Sequence, residues 1–341
     1  MKNVVIVGAT GAVGVEMIDC LHKLDFPVGK LRLVASERSE GKVVKTPFGD
    51  VVIETISEKV FEESDIALFS AGGDISKEWR ERVVNAGCLM IDNSSAFRYD
   101  DDVPLVVPQI NAAAAYGHNG VIANPNCTTA IAAVVLYPLY KAFGIKKAIF
   151  STYQATSGAG AKGMQELIDQ TKEVLEKSGG DLDGVRKCQV VPHFFAHQIA
   201  FNLIPHIDKF QENGYTKEEM KVAWETRKIF GDDSLAISCT CVRIPTLRAH
   251  SESIVIETEK VVTPEAAREV LATAEGVEVV DDVMNNRYPM PVNASGKFAV
   301  EVGRIRQNPV FGDHGLELFV CGDQLLRGAA LNAVEIAKLF I

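Results

Sequence analysis

The chain has 341 residues, 47% of them hydrophobic and 23% charged, which is ordinary globular composition and long enough for two domains. Its formal net charge of −10 argues against a surface for nucleic acid or anionic membrane, and no apolar stretch reaches the ~18 residues of a membrane span. Seven cysteines in an odd, scattered set without CxxC spacing fit reduced thiols rather than a disulfide framework or a zinc site. The N-terminus turns to glycine at Gly8, too early for a signal peptide, so a cytoplasmic location is expected.

Asn3–Val7 reads as a buried parallel strand. It runs into Gly8-Ala9-Thr10-Gly11-Ala12-Val13-Gly14 and then a helical pattern from Val15 to Leu21. Strand, glycine turn and helix are the context a dinucleotide fingerprint requires. The spacing is GxxGxxG instead of GxGxxG, but the physics is the same: glycines let the turn close, and helix N–H groups meet a pyrophosphate. The next strand, Leu31–Ala35, ends in Ser36-Glu37-Arg38-Ser39. An arginine there accommodates a ribose 2′-phosphate, with Ser36 and Ser39 as hydroxyl donors, which favours NADP over NAD; the alternative is an ordinary polar loop. Glu37 runs against that reading unless it faces solvent or pairs with a cation.

Ile66–Gly73 reads as another strand ending in small residues, Lys77–Ala86 as a helix and Cys88–Asp92 as a further strand. Asn93-Ser94-Ser95-Ala96-Phe97-Arg98 follows at the carboxyl edge, where Arg98 is either an anion fork or a surface ion pair. Val121–Ala123 then delivers the chain to Asn124-Pro125-Asn126-Cys127-Thr128-Thr129. Asn126 is a good helix N-cap and Pro125 favours a turn before it, which places Cys127 in the first turn of an apolar helix. The helix dipole there favours a thiolate, while the plainer reading is a small packed cysteine.

Lys146–Thr156 alternates like a strand and leads through Ser157-Gly158-Ala159-Gly160 into a helix from Lys162 to about Lys177. That glycine turn meets either the cofactor or nothing but its own helix. Residues 178–186 read as an exposed loop. His193, His197 and His206 lack a carboxylate in HExxH register and are read as structural, so no metal is expected. Lys217–Phe230 is an amphipathic helix on which Glu218 and Lys221 share a face, as a solvated ion pair would. A strand Ser238–Arg243 follows, with Cys239 and Cys241 packing on one face, then His250, the usual acid/base near neutral pH, before the strand Glu252–Glu257. Gly296–Ile305 and Leu316–Val320 are expected to pair as antiparallel strands. From Gly322 an apolar helix runs to Phe340 and is expected to return to the first domain, with its Gln324 end near the cofactor. The expected architecture is α/β: a Rossmann-type NADP-binding domain of residues 1–126 plus 322–341, and an α+β substrate and dimerisation domain of residues 127–321.

Six of these stretches, Gly8–Gly14, Ser94–Arg98, Pro125–Thr129, Gln154–Gly160, Glu218–Lys221 and Arg243–Pro245 through His250–Glu252, together resemble the aspartate-β-semialdehyde dehydrogenases of the bacterial type, over essentially the whole chain. The resemblance implies reversible reductive dephosphorylation of L-β-aspartyl phosphate to aspartate semialdehyde with NADP, on the way to lysine, threonine and methionine. It implies Cys127 as the nucleophile that forms an acyl-thioester, His250 as acid/base and Gln154 as the group orienting the acyl carbon. Arg243 would hold the substrate carboxylate, Glu218 its ammonium, and Arg98, Asn126 and Lys221 the phosphate. Ser157, Gly158 and Gln324 join Gly8, Thr10, Gly11, Ala12, Val13 and Gly14 in holding the cofactor. A homodimer or dimer of dimers is implied as well. The N-acetyl-γ-glutamyl-phosphate reductases also pair a nucleotide fold with a cysteine, but typically in Pro-Gly-Cys, and an acetylated substrate has no free ammonium for Glu218.

Overall fold

A computed structural model describes all 341 residues, Met1–Ile341. The chain forms two compact units: residues 1–137, 224–233 and 325–341 make the first, and 138–223 and 234–324 the second. The expected cuts at 126 and 322 thus become 137 and 325, because the helix Cys127–Phe143 begins within the first unit, which also takes in ten residues from the end of the helix Lys217–Phe230 and its exit turn. No helix is long and apolar enough to cross a membrane.

The first unit is built on a seven-stranded sheet: β1 (Lys2–Val7), β2 (Val28–Val34), β3 (Val43–Thr46), β4 (Gly49–Glu54), β5 (Ile66–Phe69), β6 (Leu89–Asp92) and β7 (Val121–Ala123). The order is β3-β4-β2-β1-β5-β6-β7, parallel except for the β3–β4 hairpin. β5 to β7 and most of β1 are buried throughout, which is why they read as unbroken apolar runs. The order reverses at β1, so the crevice beyond its carboxyl end is where a parallel sheet of this kind accepts a ligand. That crevice holds the Gly8–Gly14 turn. The last helix, Leu331–Lys338, packs in this unit against the helix Ala12–Lys23, and the Lys338 ammonium donates to the Leu24 carbonyl at 3.1 Å.

The second unit is built on a six-stranded mixed sheet of β8 (Ile145–Gln154), β9 (Ala236–Arg243), β10 (His250–Thr258), β11 (Val277–Val279), β12 (Val300–Gln307) and β13 (Gly315–Gly322), in the order β11-β12-β13-β10-β8-β9. The antiparallel pairing expected near 300 and 318 is β12 with β13, in which Val302 faces Val320. Alternation along β8 buries Ala148, Phe150, Thr152 and Gln154 while Lys147, Ile149, Ser151 and Tyr153 stay exposed. Residues 178–186 are not wholly irregular: Leu182–Lys187 is a short helix, capped by the Asp181 carboxylate, which accepts from the Gly184 N–H at 2.9 Å.

Gly8 has φ +91, and a Cβ on it would lie 2.4 Å from the Ser70 carbonyl oxygen at the end of β5. Gly8→Ala is therefore expected to destabilise the protein by about 2–5 kcal/mol through backbone strain and overpacking. Gly117→Ala, at a glycine with no atom within 4 Å of its added Cβ, is expected to change stability by no more than ~1 kcal/mol. Urea denaturation of both variants checks the contrast; equal effects would remove the steric account of the turn.

Candidate active site

In the first unit the glycine turn is tied to β2: the Gly8 and Ala9 N–H groups both donate to the Val34 carbonyl, at 2.9 and 3.0 Å, and Gly11 N–H donates back to the Gly8 carbonyl at 2.9 Å. A Cβ on Gly14 would lie 2.3 Å from that same Gly8 oxygen, so only glycine lets the helix start so close to the strand. The helix Ala12–Lys23 opens with its first N–H groups lacking intrahelical partners, and Thr10 and Gly11 are exposed in front of it. This cradle fits a pyrophosphate. Past the end of β2, the exposed Ser36, Glu37 and Arg38 line an open cleft of about 620 Å³ with Glu40, Thr55 and Ile56; Ser39, partly buried, donates its N–H to the Ser36 carbonyl at 2.8 Å. Glu37 is exposed there, in keeping with a solvent-facing side chain.

Cys127 opens the helix Cys127–Phe143, as Asn126 and Pro125 led one to expect. The Asn126 Oδ1 accepts from the Thr128 and Thr129 N–H groups at 3.1 and 3.2 Å, a complete N-cap. The thiol is partly exposed and lies within electrostatic reach of the Arg98 guanidinium. Arg98 is neither a surface pair nor a free fork. It is 6% exposed, and donates from Nε to the Asn124 carbonyl at 2.8 Å, from Nη2 to the Asn93 carbonyl at 2.8 Å and from Nη1 to Glu225 Oε1 at 3.1 Å. Burial works against its charge, but the Glu225 carboxylate more than offsets this and holds the guanidinium above its ordinary range. Three of its five N–H groups are used, which leaves two for an anion.

Two features beside Cys127 were not legible beforehand. Glu225 takes part in holding Arg98 and also accepts the Asn126 N–H, at 2.5 Å, on Oε2. Gly328 lies in a π-helical turn, Leu326–Ala330, so close to the cysteine that a Cβ on it would sit 2.6 Å from Cys127 Cβ. Its only sequence signal is a glycine inside an apolar helical run.

In the second unit the sheet register gathers the remaining groups at one end. Gln154, the last residue of β8, is level with Arg243, the last of β9, and His250, the first of β10, is level with Gly322, the last of β13. The Arg243 Nη1 donates to the Ala155 carbonyl at 2.6 Å, and a Cβ on Gly158 would meet both Arg243 Nη1, at 2.9 Å, and His250 Nε2, at 3.1 Å. Gln324 caps the same corner: its Oε1 accepts the Ala249 N–H at 2.8 Å and its Nε2 donates to the Ser157 hydroxyl. Glu218 and Lys221 do share a helix face, but it is buried rather than solvated. Glu218 accepts from Gln154 Nε2 at 3.1 Å and from Lys221 Nζ at 2.9 Å, and Lys221 also reaches Asp208 at 2.8 Å. Burial opposes the Lys221 charge, yet the two carboxylates prevail and raise its pKa. His206 stacks on Phe210 with centroids 4.5 Å apart, a packing role.

His250 is fully buried, and burial, aided by the Arg243 guanidinium, pushes its pKa down to about 3. The imidazole is neutral near pH 7. Its Nδ1 accepts the Ala155 N–H at 3.0 Å, which puts the ring proton on Nε2, an atom with no hydrogen-bond partner. The resting ring is thus a donor at Nε2, a narrower role than acid/base in general.

Residues 3–118 match the family described as semialdehyde dehydrogenase, NAD binding domain, and residues 136–327 match semialdehyde dehydrogenase, dimerisation domain. The chain is 50% identical to the aspartate-semialdehyde dehydrogenase of Aquifex aeolicus, over 99% of this chain and 98% of that one, and 45% identical to that of Bacillus subtilis, over 98% and 96%. The structure superposes on aspartate semialdehyde dehydrogenase II of Vibrio cholerae, solved in complex with ASA, with a TM-score of 0.93 at 42% identity, covering 100% of this chain and 98% of that one. With two glycine-shaped turns, a capped cysteine and a buried imidazole on a scaffold matched from end to end, the chain belongs to the aspartate-semialdehyde dehydrogenase family, a family of oxidoreductases.

Proposed function

We propose that this protein reduces L-β-aspartyl phosphate to L-aspartate 4-semialdehyde, reversibly and with NADP, through an acyl-thioester on Cys127. The observation that carries this reading is the partly exposed thiol at a capped helix N-terminus beside the Arg98 guanidinium. The N-terminal dipole and the guanidinium both favour the thiolate. That thiolate attacks the acyl-phosphate carbon; the C–O bond to phosphate breaks, and phosphate departs toward Arg98, Asn126 and Lys221. A thioester is left, whose carbonyl remains electrophilic where a carboxylate would not. A nicotinamide, when bound, would supply hydride to this carbon in the biosynthetic direction and take it up in the other, with the Cys127 thiolate as the group expelled when the aldehyde is released. The Nε2–H of His250 is suited to donate to an oxyanion at this carbon, and Gln154 orients the acyl group. Arg243 pairs with the substrate α-carboxylate and Glu218 with its ammonium.

Gly8, Thr10, Gly11, Ala12, Val13 and Gly14 would hold the cofactor pyrophosphate, Ser36, Arg38 and Ser39 the 2′-phosphate, and Ser157, Gly158 and Gln324 the nicotinamide end. The product feeds biosynthesis of the aspartate-family amino acids, and the match of residues 136–327 to a dimerisation domain supports a homodimer or dimer of dimers.

The direct test is phosphate-dependent reduction of NADP with aspartate semialdehyde; absence of turnover by pure, folded protein sinks the proposal. Cys127→Ala is expected to abolish turnover with NADP affinity retained, as read by cofactor fluorescence; a variant with comparable activity would assign the nucleophile elsewhere. Arg38→Ala is expected to raise the KM for NADP by roughly tenfold or more, the loss of one charge-assisted contact, with the KM for NAD nearly unchanged. Equal effects on the two cofactors would refute the 2′-phosphate role.

His250 also makes stability depend on pH. Its folded pKa, about 3, lies below the ordinary 6.5, so between these values the unfolded chain binds a proton that the folded chain refuses. The stability contributed by the neutral ring is present above about pH 6.5 and lost as pH falls toward 3. His250→Gln is expected to flatten the acid limb of the Tm profile between pH 6.5 and 4 relative to the parent, by calorimetry. An unchanged slope would mean that the imidazole is not buried neutral.

A further inference from the structure

Glu225 has no part in the reaction as described, yet its carboxylate is as heavily engaged as the Arg98 guanidinium beside Cys127. It is 0% exposed. Oε1 accepts from Arg98 Nη1 at 3.1 Å and from the Tyr99 hydroxyl at 3.2 Å, and Oε2 accepts the Asn126 N–H at 2.5 Å. Three residues on, Lys228 donates to the carbonyls of Arg98, Asp100 and Val103 at 2.9, 2.8 and 3.0 Å, and one residue before Glu225 the Trp224 ring packs edge-on against Tyr99. One helix face thus holds both the loop that carries Arg98 and the turn that carries Asn126 and Cys127.

We infer that Glu225 is a positioning residue for the phosphate-binding group and the nucleophile: its carboxylate fixes the Arg98 guanidinium and the Asn126-Cys127 turn in one frame and sets how much of the Arg98 charge the thiol feels. This rests on the roles proposed above for Cys127 and Arg98. A carboxylate is needed because both oxygens accept. Glutamine in its place would turn an N–H toward either the Asn126 N–H or the Arg98 and Tyr99 donors, and would leave the guanidinium without its counter-charge.

The test compares the parent with Glu225→Gln and Glu225→Asp, using KM for phosphate and for NADP, the pH profile of Cys127 alkylation by iodoacetamide with and without inorganic phosphate, and Tm. Glu225→Gln is expected to raise the KM for phosphate at least roughly fivefold with the KM for NADP within about twofold, the scale of one charged contact. It should weaken phosphate protection against alkylation and move the alkylation midpoint to lower pH, because Arg98 is no longer neutralised. Glu225→Asp, which keeps the charge but withdraws it by a methylene, should raise the phosphate KM with a smaller midpoint shift, and it serves if the glutamine variant does not fold. Wild-type phosphate KM and alkylation midpoint in a folded variant would overturn the inference, as would equal rises in both KM values alongside a lower Tm. Absence of turnover in the parent would fall on the proposed reaction instead, and the alkylation measurements, which need no turnover, would still decide the role of Glu225.

Discussion

The groups around Cys127 in the first unit depend on a buried ion pair. Arg98 and Glu225 are removed from water together, and each such ion loses several kcal/mol of hydration after relaxation. Attraction alone does not compensate; the balance requires that the remaining donors and acceptors be satisfied. Here most of them are, by two backbone carbonyls on the guanidinium and by a hydroxyl and a backbone N–H on the carboxylate, while two guanidinium N–H groups stay open. The arrangement is expensive to break from one side and adds little net stability as a whole. What it provides is placement: residues 93–99, the Asn126–Cys127 turn and the helix end that carries Glu225 can satisfy those charges only in one mutual geometry. A buried asparagine network continues the frame. Asn124 bonds to Asn93 at 2.7 Å and to the Ala329 carbonyl at 3.2 Å, and Asn332 bonds to Asn124 at 2.5 Å, so the C-terminal helix that brings Gly328 against Cys127 is held by the same turn.

Much of this was legible in the sequence, for reasons that differ by element. β1, β5 and β6 are buried on both faces, so only apolar runs serve there, and such runs are easy to read. The Gly8–Gly14 turn was readable because steric exclusion leaves no substitute for its glycines. The β3–β4 hairpin escaped notice because its strands are half exposed and tolerate polar residues, so the alternation is faint. The helix Lys217–Phe230 misled in a more instructive way. Glu218, Lys221, Glu225 and Lys228 recur at spacings of three and four, so they form one stripe. A charged stripe reads as a solvated face because charges are seldom buried. Periodicity reports which residues share a face, and it is silent on whether acceptors and cations elsewhere in the chain will meet that face.

The polar end of the second sheet shows the same logic in a neutral form. His250, Arg243 and Gln154 come level because β8 runs parallel to β9 and antiparallel to β10. That register is set by the buried apolar residues further along, Phe150 facing Cys239 on one side and Ile254 on the other. Hydrophobic pairing deep in the sheet therefore aligns polar groups at its edge. Burial, and after it the guanidinium beside the imidazole, then makes the imidazolium unfavourable, and the Ala155 N–H selects the tautomer. The ring is held neutral with its proton at Nε2 by neighbours that were fixed for packing reasons.

Four of the seven cysteines are kept from acting as nucleophiles by their surroundings. Burial pushes the thiols of Cys20, Cys88 and Cys321 up to about 12; the hydrogen bond with Cys241, whose sulfur lies 3.6 Å away, raises that of Cys239, with burial adding to it. These thiols stay protonated and inaccessible, so a chain with a net charge of −10 carries several sulfurs without several nucleophiles. Cys127 differs in position rather than in residue type: it is partly exposed, stands at a capped helix N-terminus and has a guanidinium nearby. An overall negative charge does not oppose an anionic substrate at such a place, because over a few ångströms in a medium of low dielectric the nearest fixed charges and dipoles outweigh distant carboxylates screened by water.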